Sequence, residues 1–336
     1  LNRYDGIEVK EYRFTINSRH GLKCNYISSL CEDGDRLWVG TDDGIYIYSY
    51  RTDTFTFFDK KTKSGTNIET NVYDIGKDKE GIFWIATGRQ GVFKYSEKAD
   101  ILEQYDFADC TGFVAKIYID HENRIWAASN QGKYGIYRLN KAKNEFEPFI
   151  LKKGNSTMAA HALAIFEDSE NNLWLGTWQN GLLKIDRHSG TVETYLHPSD
   201  EEGIVHIHSI MEYASHQLLI GSDDGLTLFN TVTGESKLYA PDMLKPNSLS
   251  NRFVYPICKD REGGVWIGTY YGGVNYLSPT NSQFESYVQS RFENSVKGTV
   301  IGRFCEDARG NLWIASDDGG LSCMSPTDKR FVNYMP

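Results

Sequence analysis

Leu173-Trp174-Leu175-Gly176-Thr177-Trp178-Gln179-Asn180-Gly181 runs apolar residues and a tryptophan into a Gly–Thr pair, then into a turn that ends on glycine. The same pattern returns as LWVGTDDG (37–44), FWIATGRQG (83–91), IWAASNQG (125–132), LLIGSDDG (218–225), VWIGTYYGG (265–273) and LWIASDDGG (312–320). Tryptophan recurs at Trp38, Trp84, Trp126, Trp174, Trp266 and Trp313, with Leu219 standing in within the fifth copy. Successive steps along that column are 46, 42, 48, 45, 47 and 47 residues. A period of this length, with room for about four short strands, is the mark of a radial or linear repeat protein, and here it predicts an all-β fold, a β-propeller.

The sixth copy shows how one repeat is built. Residues 252–258 form a first strand, 259–264 a turn rich in Asp and Gly, and 265–269 a second strand. Tyr270 to Gly273 make a hairpin turn, 274–278 a third strand, and 283–288 a fourth. No segment sustains a 3.6-residue apolar period, so almost no helix is expected. The first turn carries Asp33, Asp78, Asp120, Asp168, Asp260 and Asp307, best read as carboxylates accepting backbone N–H groups of their own turn. The tryptophans (38, 84, 126, 174, 266, 313) are packing elements between adjacent blades, and the Gly or Ala two residues on belongs where a neighbouring blade comes close. Residues 1–14 read as the closing strands of a preceding repeat and 15–336 as seven repeats of a single propeller domain. Seven blades of four antiparallel strands are expected, closed by strands from opposite ends of the chain, with eight blades the alternative. The fifth copy, with Tyr213 for the turn Asp and Leu219 for Trp, is expected to form a looser blade.

Composition narrows the function. The 336 residues carry a net charge of −9 with no Lys/Arg cluster, which argues against nucleic acid as a partner. No apolar run approaches the roughly 18 residues of a membrane helix. Cys31, Cys258 and Cys305 recur at one repeat position and should sit apart around a ring as buried free thiols. No CxxC occurs; neither a metal nor a cofactor is expected.

The recurring LWxGTxxG, with ED..GNLW upstream, resembles the two-component regulator propeller repeat. The likeness is closest at Asn247 to Asn251 with Val265 to Tyr276, and at Phe304 to Asp307 with Gly310 to Trp313. Leu1 to Gly6 also resembles the close of an early repeat in that family. The resemblance implies the periplasmic sensor region of a Bacteroidetes hybrid two-component system, in which two propellers precede a β-sandwich, a membrane helix, a histidine kinase, a receiver and a DNA-binding domain. It implies as partners an oligosaccharide from a complex polysaccharide, the second propeller and β-sandwich of the same chain, and a second copy in a homodimeric receptor.

Within a blade the second-to-third turn and the blade-to-blade connection emerge on one face. These segments vary while the strands do not, as expected of binding loops on a rigid scaffold. The turns offer Asp42-Asp43, Arg89-Gln90, Asn130-Gln131 with Tyr134, Trp178-Gln179-Asn180, Asp223-Asp224, Tyr270-Tyr271 and Asp317-Asp318; the connections add His161, His206, His208, Asn251 and Arg252. Tight turns favour Gly, Asn and Asp, so Trp178, Tyr270 and Tyr271 gain little there locally. Aromatic faces stack on the C–H faces of sugars, and amides or guanidinium groups take hydroxyls and carboxylates. Trp178, Tyr270, Tyr271, Arg89, Gln90, Gln179, Arg252, His161 and Tyr134 are therefore the candidate ligand contacts; packing on a partner propeller is the competing reading for the aromatics. Asp-Gly turns read as turn chemistry. His206 and His208 alternate along a strand and so should face opposite sides. No catalytic spacing is present, and no catalysis is expected of this region. The alternatives are a secreted propeller enzyme, such as a polysaccharide or streptogramin-type lyase, and a purely structural interaction propeller.

Overall fold

A computed structural model describes the chain except residues 5–7, 15–20, 108–112, 130, 132, 199–202, 243–247, 280–293, 299 and 335–336. All regular structure among the described residues is β. The chain divides into two compact units, Leu1–Leu277 and Ser278–Pro336. The first holds six antiparallel sheets, spanning 27–57, 72–105, 116–148, 162–195, 209–239 and 254–277. The second holds one more, spanning 301–334. Each is a meander of four strands in sequence order except the sixth, where three are described and the expected strand at 283–288 lies outside the described residues. Two short hairpins complete the first unit: Asn2–Tyr4 with Val9–Glu11, and Leu151–Lys153 with Ser156–Met158.

In the first unit, the first strand of each sheet packs beside the first strand of the next. The apolar core therefore lies between sheets. Trp38 packs with Ile75, Phe83, Ile85 and Phe93 of the second sheet. Trp84 reaches Ile117 and Ile125 of the third, Trp126 reaches Ile165 and Leu183 of the fourth, and Trp174 reaches Ile210, Leu218 and Phe229 of the fifth. These four tryptophans are buried. Trp266 and Trp313 are only half-buried, so the expectation of full burial fails for them. Trp266 lies against Tyr276 and Tyr4, and Trp313 stacks on Tyr334. The close approach is visible at Gly176, where a Cβ would stand 2.5 Å from the Ile207 side chain of the fifth repeat.

The turn aspartates do more than cap. In the fourth sheet Asp168 Oδ1 accepts the N–H groups of Glu170 (3.1 Å) and Asn172 (2.8 Å). Its Oδ2 accepts the Trp174 indole N–H at 2.8 Å. The same indole–carboxylate bond joins Trp84 to Asp78, Trp126 to Asp120, Trp266 to Asp260 and Trp313 to Asp307, at 2.9–3.0 Å. Six residues separate the partners in every case, and that constant spacing is the signal in the sequence. In the first repeat the turn is one residue shorter. Asp33 pairs with Arg36 and Lys77 instead, and the Trp38 indole N–H is buried without a partner. The fifth repeat loses both members together, as Tyr213 and Leu219. Its four strands are nonetheless fully paired and Leu219 is buried, packing with Val254, Val265 and Ile267 of the sixth sheet. The expected looser blade is therefore not found in the strand pairing: a leucine has no N–H to satisfy, so the indole's acceptor is not needed there.

The five described cysteines are free. Cys31 is half-buried, and burial pushes its thiol up to about 11. Cys258 and Cys305 are exposed rather than buried, and Cys110 lies outside the described residues.

Candidate functional site

Backbone hydrogen bonds fix the turn of one blade onto the connections beside it. The Trp178 N–H donates to His161 O (2.8 Å), and the His206 N–H donates to Trp178 O (3.2 Å). The Tyr270 N–H donates to Phe253 O at 2.9 Å. The turns of the fourth to sixth repeats and the connections between them thus form one surface.

On that surface the aromatic side chains make a strip of two stacked runs that meet at His206 and His208. Trp178 lies on His206 with ring centroids 3.8 Å apart. His206 and His208 are 6.5 Å apart, and His208 stacks on Tyr255 at 4.0 Å and 11°. Tyr255 stacks on Tyr270 at 5.5 Å, and Tyr270 meets Tyr271 edge-on at 4.3 Å. Four of the rings face solvent: Trp178 is 37% exposed, Tyr255 40%, Tyr270 52% and Tyr271 88%. Tyr271 also holds a backbone φ of +75°. A non-glycine residue in that region is strained, and Tyr271 recovers nothing by burial. We expect Tyr271→Gly to leave the melting temperature unchanged or raised, because glycine adopts that backbone freely. Thermal unfolding of the variant measures this, and a clear fall would mean the ring contributes to packing.

The two histidines converge, against the expectation from strand alternation. His206 Nδ1 bonds Asp223 Oδ2, and His208 Nε2 bonds Asp223 Oδ1 at 2.8 Å. Two backbone features cause this. His206 has a φ of +52°, outside the strand conformation. His208 lies just before the strand that begins at Ser209, its N–H donating to Gly221 O at 2.9 Å, so strand alternation does not govern it. Burial pushes the Asp223 carboxyl up, but hydrogen bonds from the two imidazoles outweigh it and hold the group below the usual carboxylate range. Burial pulls His208 below the usual imidazole value, against the pull of Asp223. Asp223 is thus not simple turn chemistry. Its neighbour Asp224 takes that part, accepting the Val205 N–H (3.3 Å) and donating its own N–H to Ser222 Oγ (3.2 Å).

The other candidates are scattered. Gln179, Arg89 and Arg252 are exposed, and Arg252 lies over its neighbour Phe253. Arg89 acts electrostatically on Tyr73, which packs on Phe113 at 5.0 Å, away from the strip. The Gln90 amide is occupied by Asn67 O and the Glu69 N–H. Tyr134 packs against the core between the second and third sheets, so it is not a strip residue. His161 is half-buried and gives its carbonyl to the Trp178 turn; Asn130 lies outside the described residues. Sequence reasoning put Trp178, Tyr270, Tyr271, His206, His208 and Asp223 on one face, but took only the three aromatics of these as contacts and missed Tyr255 and the pairing of both histidines with Asp223. A cavity of about 490 Å³ at Gln217, Leu228, Asn230, Glu235, Ser236 and Lys237 has no aromatic wall. Among the described residues no cluster of His, Cys, Asp and Glu is fit to hold a metal ion.

Residues 21–43, 158–179, 248–271 and 295–318 match the Two component regulator propeller family, each running through a connection and the first two strands to the following turn. Those four segments carry the two-component regulator propeller repeat. Over 263 residues it is 24% identical to Histidine kinase P4 of Formosa agariphila, covering 70% of this chain and 18% of that protein. The extracellular domain of a one component system of B. thetaiotaomicron superposes with a TM-score of 0.68 at 19% identity, over 99% of this chain and 49% of its own. A second B. thetaiotaomicron extracellular domain, assigned to a hybrid two component system, gives 0.60 at 22% identity, over 97% and 49%. Virginiamycin B lyase of Staphylococcus aureus gives 0.60 at 16% identity, over 91% and 94%. These likenesses establish the propeller fold. The chain spans under a fifth of the curated relative and about half of the two extracellular domains.

Proposed function

We propose that this propeller is an extracytoplasmic ligand-sensing module of a hybrid two-component signalling protein, and that it takes an oligosaccharide along the strip from Trp178 to Tyr271. The single observation behind this reading is the strip itself: two stacked runs of rings, four of the rings solvent-facing and Tyr271 on a strained backbone. Rings of this kind offer flat apolar faces to sugar C–H groups, and the imidazole nitrogens and phenol hydroxyls offer hydrogen bonds to sugar hydroxyls. The surface is open rather than a pit, which suits a chain laid across it. The family repeats, the histidine kinase relative and the extracellular domains support the signalling role and a periplasmic location. Each stack should contribute on the order of 1 kcal/mol. Titration calorimetry of the protein against a panel of linear oligosaccharides is the test, with Trp178→Ala and Tyr271→Ala beside the wild type. Both variants should bind several-fold more weakly while staying folded; equal binding removes these rings from the site.

One observation favours a second reading. Two histidines sharing an aspartate beside exposed tyrosines could move protons, and lyase propellers have this fold. The sensor reading predicts that oligosaccharides incubated with the purified protein stay intact by mass spectrometry. Cleavage, or an unsaturated-uronate absorbance, would put the lyase reading first.

A further inference from the structure

We propose that Asp223 is the positioning residue that makes the strip one surface rather than two; the proposal rests on the strip being the ligand site. The strip has two halves. Trp178 with His206 belongs to the fourth blade and the connection after it, and Tyr255, Tyr270 and Tyr271 belong to the sixth. Among the described residues nothing aromatic bridges them except His206 and His208, whose rings stand 6.5 Å apart, beyond close stacking. The one group that touches both imidazoles is the Asp223 carboxylate, with one oxygen on each. Each imidazole in turn lies against a ring of its own half, His206 on Trp178 at 3.8 Å and His208 on Tyr255 at 4.0 Å. The Asp223 side chain is 20% exposed and has both carboxylate oxygens engaged by the imidazoles, so it orients the rings. It is free for this work because Asp224 closes the turn. A carboxylate accepting from both rings also fixes their tautomers, with the proton on His206 Nδ1 and on His208 Nε2 in the neutral state. The opposite nitrogens, His206 Nε2 and His208 Nδ1, are then left as acceptors for sugar hydroxyls.

A surface joined in this way favours a ligand long enough to touch both halves, because each half is held in place before binding. A short ligand occupying one half gains nothing from the join. The test uses the full chain with Asp223→Ala and Asp223→Asn. Asparagine restores the join, accepting from one imidazole and donating to the other after a tautomer change; alanine cannot. The first readout needs no ligand: NMR of the His206 and His208 ring protons, which stacking on Trp178 and Tyr255 shifts from their free positions. The shifts should collapse in Asp223→Ala and persist in Asp223→Asn. Should the alanine variant not fold, Asp223→Ser makes the same comparison. The second readout is calorimetry with neutral linear di- and hexasaccharides from the panel. Asp223→Ala should lower hexasaccharide affinity about tenfold, which is about 1.4 kcal/mol, and disaccharide affinity less than twofold. Unchanged ring shifts in the alanine variant overturn the proposal. So does a loss equal for both chain lengths, or equal in Asn and Ala. If no sugar binds the wild type while the ring shifts behave as expected, the positioning role stands and the oligosaccharide reading falls.

Discussion

Replacing Trp174 by alanine lowers the free energy of unfolding by about 3–5 kcal/mol, the ordinary cost of emptying a large buried aromatic site. The indole is fully buried and touches neither solvent nor the strip. Its neighbours come from two repeats, Leu182 and Tyr195 from its own and Ile210, Leu218, Ile220 and Phe229 from the next. The cavity would open between two blades, each anchored elsewhere by its own strand pairing, so collapse cannot fill it. Denaturant unfolding followed by far-ultraviolet circular dichroism measures the loss. A loss below about 1 kcal/mol would mean that the blades close over the gap. Trp178→Ala, four residues away and partly exposed, serves as the control and should cost much less.

Asp168→Ala should cost about 2–4 kcal/mol although it removes only a small side chain. It deletes the acceptor of two turn N–H groups, the Asn172 amide and the Trp174 indole N–H, and leaves that indole buried without a partner. The mechanism predicts coupling: Asp168→Ala made in Trp174→Phe should cost about 1–2 kcal/mol less than in the wild type, because phenylalanine has no N–H to orphan. Additive costs would show that Asp168 serves its turn alone. The first repeat provides the contrast, since Trp38 already lacks an acceptor and Asp33→Ala touches only the Arg36 and Lys77 pairs. The clasps should also be acid-sensitive. Burial pushes the Asp120 and Asp260 carboxyls up, but the indole bond, with the Arg124 guanidinium and N–H at Asp120 and the turn N–H groups at Asp260, outweighs it and holds both below the usual carboxylate range. The indole of Trp313, then the Asn311 amide, hold Asp307 down in the same way. Their contribution is present above about pH 4, the unfolded value, and is lost as pH falls through the lower folded values. Stability measured between pH 5 and pH 2 should therefore fall steeply, and less so in Asp120→Asn.

Much of this was legible in the residues. The period gave the sheets and the tryptophan column gave the joints between them, because both follow from local pattern. The six-residue spacing from Asp to Trp, and the joint loss of both at Tyr213 and Leu219, already held the clasp, although a capping role accounts for the Asp alone. The strip was half legible. Trp178, Tyr270 and Tyr271 stood out because turns do not favour aromatics. Tyr255 did not, since a residue in an inner strand looks like core until its neighbours are known. The alternation rule failed at His206 because it assumes a uniform strand, and His206 is a left-handed residue ahead of the strand that begins at Ser209. Asp223 and Asp224 are identical letters with different work, and only the position of the histidines separates them.

The second, third and fourth repeats each keep the carboxylate for their own tryptophan but lodge the ring against the repeat that follows. The unit that is copied and the unit that is packed are therefore offset by half a step. A gene duplication adding one whole period inserts a ring that finds the socket ahead of it and a socket that receives the ring behind. Arrays of this kind can lengthen or shorten by single copies without passing through a protein that carries an unmatched interface inside the series. Drift is then free to reshape the turns, where the histidines and tyrosines lie, while the joints stay interchangeable.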